Sequence, residues 1–247
     1  VLVETEQEVP VPSPDGITIG VDLGINALAT CSDGTVYENP KALNQMAGKV
    51  KSLSKRMARQ EKGSNRRKKT KLKLARAHAR VSDIRTDALH KMTTSVLKTK
   101  GLKTIVVEDL NVAGMVKNHC LARSVSDAAF GEARRQFTYK ALWAGTEVVF
   151  AHRFFPSTKR CSACGVIRES VALGERVFSC EACGFTAGRD ENASYNLRDY
   201  PGLDWKPTAS SAGSARGEIV RPVRLPKGAP GRLISLKREV DSRVVSA

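Results

Sequence analysis

The 247 residues carry 41 Lys or Arg against 25 Asp or Glu, a net charge of +16, with 41% apolar and 27% charged residues. This composition supports one large or two small globular domains with a buried core and excludes a disordered chain. No apolar run nears the roughly 20 residues of a membrane helix, and no basic start leads into an apolar secretory segment, so a cytoplasmic protein with no membrane partner is expected. The charge surplus points to a polyanionic partner, nucleic acid before an acidic membrane, because the basic stretch has few large apolar residues.

Residues 1–16 hold three prolines and several acids and read as a linker. Three strands follow at about 17–23, 27–31 and 34–38, with Ser32-Asp33-Gly34 as a hairpin turn. Residues 41–98 lack proline. Val81, Ile84, Ala88, Met92 and Val96 recur there at helical spacing, and Gly63-Ser64-Asn65 divides the stretch into a helical hairpin. Between residues 49 and 91 there are 16 Lys or Arg and 3 Asp or Glu, a net of +13. A charge run is often just a solvated face. This one is too one-signed for i,i+4 pairing to neutralise, which favours contact with a nucleic-acid backbone. The candidate contacts are Lys55, Arg56, Arg59, Arg66, Arg67, Lys68, Lys69, Lys71, Lys73 and Arg76.

After Gly101 the run LKTIVVEDL predicts a buried strand, and 111–122 a loop. Phe130, Ala133, Phe137 and Ala141 mark one face of a helix over about 124–143, ended by Gly145. Residues 146–151 form a strand and 190–198 a short helix. The Gly-, Pro-, Ser- and Arg-rich stretch from 201 on reads as a flexible tail. Strands, basic helices, strand, helix, strand, module and helix together predict an α/β fold with a mixed sheet covered by helices, the element order of an RNase H-like domain.

CSACG and CEACG place Cys161, Cys164, Cys180 and Cys183 as two Cys-x-x-Cys knuckles separated by 15 residues. Four thiolates suit a tetrahedral, structural Zn2+, and Gly165 and Gly184 allow the chain to turn tightly around it. A redox pair is the alternative for a single knuckle, less so for two. Cys31 and Cys120 read as ordinary buried or loop residues.

Three acids stand at the ends of predicted elements: Asp22 in GVDLG, Glu108 in VVEDL and Asp190 in GRDENAS. Singly, Asp22 reads as a turn residue and Asp190 as a helix N-cap. An acid at the end of an apolar strand nevertheless needs a partner or a metal. Three converging carboxylates suit Mg2+ or Mn2+, and two such ions about 4 Å apart activate a water and stabilise a leaving 3′ oxygen. Asp109 points to the opposite face and reads as a loop or structural acid.

GVDLG, VVEDLNVAGM, SDAAFGEARRQFTYKALWAG, FFPSTKRCSACG and CEACGFTAGRDENASYNL resemble the transposon-encoded TnpB (OrfB) nucleases, relatives of the type V CRISPR effectors. The resemblance covers about residues 17–200. It implies a RuvC nuclease of RNase H fold, with a helical insertion and a zinc ribbon inserted before the last motif. On that likeness 17–154 is the first nuclease part with the basic hairpin 41–98, 155–187 the zinc ribbon, 188–200 the last RuvC helix and 201–247 the tail. Asp22, Glu108 and Asp190 then occupy the catalytic, metal-holding positions, and the four paired cysteines the zinc positions.

The implied activity is divalent-metal-dependent DNA cleavage by a two-metal mechanism. The implied partners are a guide RNA encoded near the gene and a base-paired target DNA. Family members also carry an N-terminal region that holds the guide and reads a flanking motif. Only 16 residues precede the first strand here, so the alternative expectation is a catalytically weak or inactive nucleic-acid-binding remnant. Arg189 is a candidate for the scissile phosphate or for a salt bridge. Ser157, Thr158 and Lys159 are candidates for backbone phosphate. Phe154, Phe155 and Phe178 read as ribbon core before base-stacking platforms.

Overall fold

The structure, a computed structural model, describes residues 2–7, 10, 15–172, 174–206 and 234–239. In chain order the first elements are β1 (Leu2–Gln7), β2 (Ile17–Leu23), β3 (Ala27–Cys31), β4 (Val36–Glu38), α1 (Ala42–Ala58) and α2 (Asn65–Leu97). Next come β5 (Leu102–Glu108), α3 (Val112–Lys117), α4 (Ala122–Ala128), α5 (Phe130–Ala144) and β6 (Glu147–Ala151). The last are β7 (Val177–Ser179), β8 (Thr186–Gly188), α6 (Arg189–Asp199) and β9 (Ile234–Glu239).

The centre is a five-stranded mixed sheet in the order β4-β3-β2-β5-β6. Strands β2, β3 and β4 form an antiparallel meander, while β5 and β6 run parallel to β2. Alternate residues of a strand face opposite ways, so each strand feeds two cores. Ile19, Val21, Ile105, Val107 and Val148 meet Leu89, Met92 and Val96 of α2 and Phe130, Ala133, Phe137 and Ala141 of α5. On the other face Val106 and Ala151 meet Leu197 of α6 and Phe155. Burying each large apolar side chain contributes about 1.5–3 kcal/mol, so this two-sided packing fixes where the strand ends lie.

The basic hairpin breaks where Gly63-Ser64-Asn65 suggests. Ser64 caps α2 by accepting from the Arg67 amide at 3.3 Å. Helix α1 has no cap of its own, since Lys41 is left-handed at φ 47. Asp127 of α4 supplies one from a distance: both carboxylate oxygens accept from the Leu43 amide at 3.0 Å. The same carboxylate pairs with Arg85 of α2 at 3.0 Å, locking the hairpin base onto the core.

Several expectations are corrected. The 111–122 segment is not all loop, because the Asn111 side chain accepts from the Gly114 amide at 3.0 Å and starts α3. The single helix over 124–143 is two, divided at Ala129, whose left-handed φ of 52 turns the chain between α4 and α5. In the segment read as a linker, β1 pairs antiparallel with β9 from the segment read as a tail. Leu203 and Trp205 also pack on the α6-side core, while 207–233 lies outside the described residues. Among the described residues no helix is long and apolar enough to cross a membrane.

Candidate active site and cysteine cluster

Asp22 is the penultimate residue of β2 and Glu108 the last of β5. These strands are parallel neighbours with Val21 opposite Val107, so the two acids follow paired residues at the same end of the sheet. Because Val21 and Val107 face the α2–α5 core, the next residue on each strand faces α6. Helix α6 brings Asp190 in its first turn, where the helix dipole favours a carboxylate. Asp190 is not the N-cap; Gly188 is, and Glu191 accepts from the Gly188 amide at 3.4 Å.

The three carboxylates feel one another. Burial pushes the Asp22 carboxyl well above its usual range. The charges of Glu108 and Asp190 push it further, against the opposing pull of Arg189. Glu108 is raised by burial and by Asp190, while the Ser157 hydroxyl, donating to Glu108 Oε1, acts the other way. A cluster of acids that resists ionisation suits a cation. Asp109 behaves differently. It pairs with Arg134 and, at 2.9 Å, with Arg153, and these bonds outweigh its burial to hold its carboxyl low.

Ser157 is 3% exposed and turned onto Glu108, which corrects its expected contact with phosphate. Lys159 Nζ donates to the Glu169 carbonyl at 2.8 Å, within its own module. Arg189 Nε lies 3.3 Å from Asp190 Oδ1, the salt-bridge arrangement.

The sulfurs of Cys161, Cys164, Cys180 and Cys183 all lie within 4.8 Å of one another. Cys161 and Cys183 are 3.7 Å apart, and Cys164 and Cys180 3.6 Å. Each knuckle closes with a glycine amide donating to the first cysteine's carbonyl at 2.9 Å, Gly165 to Cys161 and Gly184 to Cys180. Both glycines have φ near +80, at 80 and 74, which L side chains rarely adopt. The Cys183 amide lowers the Cys180 thiol to about 7. Cys183 is pushed up to about 12 by the neighbouring sulfurs, despite the Phe185 amide. Four crowded thiols of this kind can hold a metal ion.

Two asparagines join this cluster to the carboxylates, and the sequence reading missed both. Asn192 and Asn196 are fully buried on α6. Asn192 donates to the Arg160 carbonyl at 2.8 Å and accepts from the Ser162 amide at 3.0 Å; Asn196 donates to the Ser157 carbonyl at 2.8 Å. Their i,i+4 spacing in DENASYN is the signal that could have found them.

Lys55, Arg56, Arg59, Arg66, Lys68, Lys69, Lys71, Lys73 and Arg76 are exposed on the hairpin. Arg67 departs from the expectation of nucleic-acid contact: its guanidinium donates to the carbonyls of Met57 at 2.6 Å and Gln60 at 3.0 Å, tying α1 to α2. Lys49 and Arg80 join Lys73 and Arg76 around a groove between the helices. Nothing in the sequence separates those two from other surface cations.

Residues 1–119 match the family model for OrfB of IS605, described as "Probable transposase", and residues 130–197 match that of the Cas12f1-like TNB domain. The chain is 39% identical over 206 residues to a Streptomyces pristinaespiralis protein named "Putative RNA-guided DNA endonuclease", covering 83% of this chain and 48% of that one. The chain belongs to the TnpB (OrfB) family. The Escherichia coli K12 relative, "Putative RNA-guided DNA endonuclease InsQ", is 34% identical over 250 residues, 95% of this chain and 59% of InsQ. The chain thus spans about half the length of the curated relatives it matches. Its fold is similar to a chain in the cryo-EM structure of the Cas12f1–sgRNA–target DNA complex, with a TM-score of 0.56 at 17% identity over 79% of this chain and 52% of that one.

Proposed function

We propose that this chain is the nuclease part of an RNA-guided, divalent-metal-dependent DNA endonuclease with an RNase H-like, RuvC-type core. The observation that carries the reading is the meeting of Asp22, Glu108 and Asp190 on the α6 face of the sheet, with burial and mutual repulsion raising the first two. Among the described residues the cysteines alone bring three or more ligand atoms within 4.8 Å of one another. Bound Mg2+ or Mn2+ would supply Lewis acidity and a more acidic water.

The chain's own residues have separable tasks in this reading. Asp22, Glu108 and Asp190 would hold the ions, and Ser157 orients Glu108. Water attacks the phosphorus and gives up a proton to solvent, the bond to the 3′ oxygen breaks, and that oxygen leaves with a proton from solvent. No covalent link to the protein forms. Cys161, Cys164, Cys180 and Cys183 hold a structural Zn2+ whose filled shell leaves it no catalytic position. The exposed cations of α1 and α2 meet the backbone of guide RNA or heteroduplex.

The names of the relatives support RNA guidance, and the test is direct. The chain is expressed from its own locus with the flanking non-coding DNA, and RNA retained in high salt is sequenced. One discrete locus-encoded RNA that directs Mg2+-dependent cutting of matching DNA is the expected result. Heterogeneous RNA that washes off with salt, and no cutting, would instead fit a nucleic-acid-binding remnant.

A further inference from the structure

Beside Glu108 the protein opens into a cavity of about 290 Å³. Leu110, Ala151, Phe154 and Phe155 line it together with Asp109 and Arg153. Phe154 is 38% exposed and belongs to neither adjoining core: Phe178 centres the cysteine module, and Phe155 packs with Leu197. Packing therefore does not explain a large ring at position 154.

The ring has one aromatic neighbour. The Phe154 amide donates to His152 Nδ1 at 3.3 Å. The two rings lie 5.5 Å apart, and Trp205 backs His152 at 5.4 Å. Arg153, between them in sequence, reaches Asp109, which also binds Arg134. Glu108, Asp109 and Arg153 all line the cavity, so its edge carries a guanidinium among carboxylates.

Apolar lining, an exposed ring and a nearby cation match the parts of a nucleotide: base face and phosphate. A base inside a duplex cannot enter such a cavity without leaving its stack, so an unpaired one is favoured. We infer that this cavity takes one unpaired base of a DNA single strand, stacked on Phe154, and so directs the adjoining phosphodiester toward Glu108. The base-binding half stands on the cavity alone; the orienting half rests on the nuclease reading.

The test uses the 247-residue chain and short single strands carrying 2-aminopurine, in magnesium-free buffer so that nothing is cut. Stacking quenches the fluorescence of the wild type complex. Phe154→Ala and Phe154→Leu should lose the quenching and weaken binding about ten-fold, and Phe154→Trp should restore both. Leu keeps the apolar bulk, so loss in both variants with unchanged melting excludes misfolding. Equal quenching and affinity in wild type and Phe154→Leu overturns the site. Guided cleavage is then measured on strands with one abasic position. A single sensitive position in wild type, absent in Phe154→Leu, supports the orienting role. Cleavage without any such position overturns that role while leaving the nuclease reading intact. Quenching without cleavage in any condition does the reverse, keeping the base site and removing the nuclease reading.

Discussion

Gly20 of β2 lies directly under the main chain of Ser194 in α6. A β-carbon at position 20 would stand on the Ser194 carbonyl oxygen and the Arg198 amide nitrogen, far inside contact distance. The glycine two residues before Asp22 thus lets α6 carry Asp190 to the other acids. Gly20→Ala should lift the helix, cost about 1–3 kcal/mol and reduce metal-dependent cleavage by at least ten-fold. Thermal melting and cleavage rates on the same preparation check both effects. The control is Gly48→Ala on α1, where a β-carbon meets nothing within 4 Å.

Asp22 makes the metal-free fold pH-sensitive. Burial holds its folded carboxyl well above the ordinary carboxylate value of 3.8. Its contribution to stability is therefore fully present below that value and lost as pH rises through the raised folded value. Cation binding needs the ionised form, so the increase in melting temperature caused by Mg2+ should be larger at pH 8 than at pH 5. Calorimetry at the two pH values checks this, and equal increments would contradict it. Asp22→Asn should raise metal-free stability at pH 8 by about 0.5–2 kcal/mol while abolishing the Mg2+ increment.

The cysteine module has a small core of its own: Cys161, Phe178 and Cys180, with Phe185 against them. With so little apolar burial, a bound metal would contribute much of what orders the segment. A strong chelator should release about one zinc per chain, measured by colorimetric titration, and expose the module to protease between residues 160 and 188. Cys180→Ser should do the same without chelator. Because Asn192 and Asn196 tie this segment to α6, cleavage should fall along with the zinc.

Asp127 anchors the basic hairpin through the Leu43 amide and Arg85. Asp127→Ala removes a helix cap and leaves a half-buried guanidinium alone, a cost of about 2–4 kcal/mol. Hydrogen exchange should rise in the first turn of α1 before it rises in the sheet. Nucleic-acid affinity should fall although no exposed cation was changed.

The strand pattern, the hairpin break at Gly63-Ser64-Asn65 and the two knuckles could be read directly, because each depends on local spacing. The carboxylates stood out because acids at the ends of apolar strands need a reason. Local spacing could not reveal that Ser157 would turn inward to Glu108, that Arg67 would bind carbonyls, or that Asp127 would cap a helix 84 residues away. Each depends on which elements meet. The break at Ala129 was equally hidden, since alanine favours helix and only the surrounding packing holds it left-handed.

As a metal-dependent phosphodiesterase site, Asp22, Glu108 and Asp190 should be needed for cutting and dispensable for binding. The most direct measurement compares the guided parent chain with Asp190→Ala, scoring DNA cleavage in Mg2+ alongside affinity for the same nucleic acid. Cleavage should fall below detection in the variant while affinity stays within about two-fold. Equal cleavage by the two proteins would contradict that role.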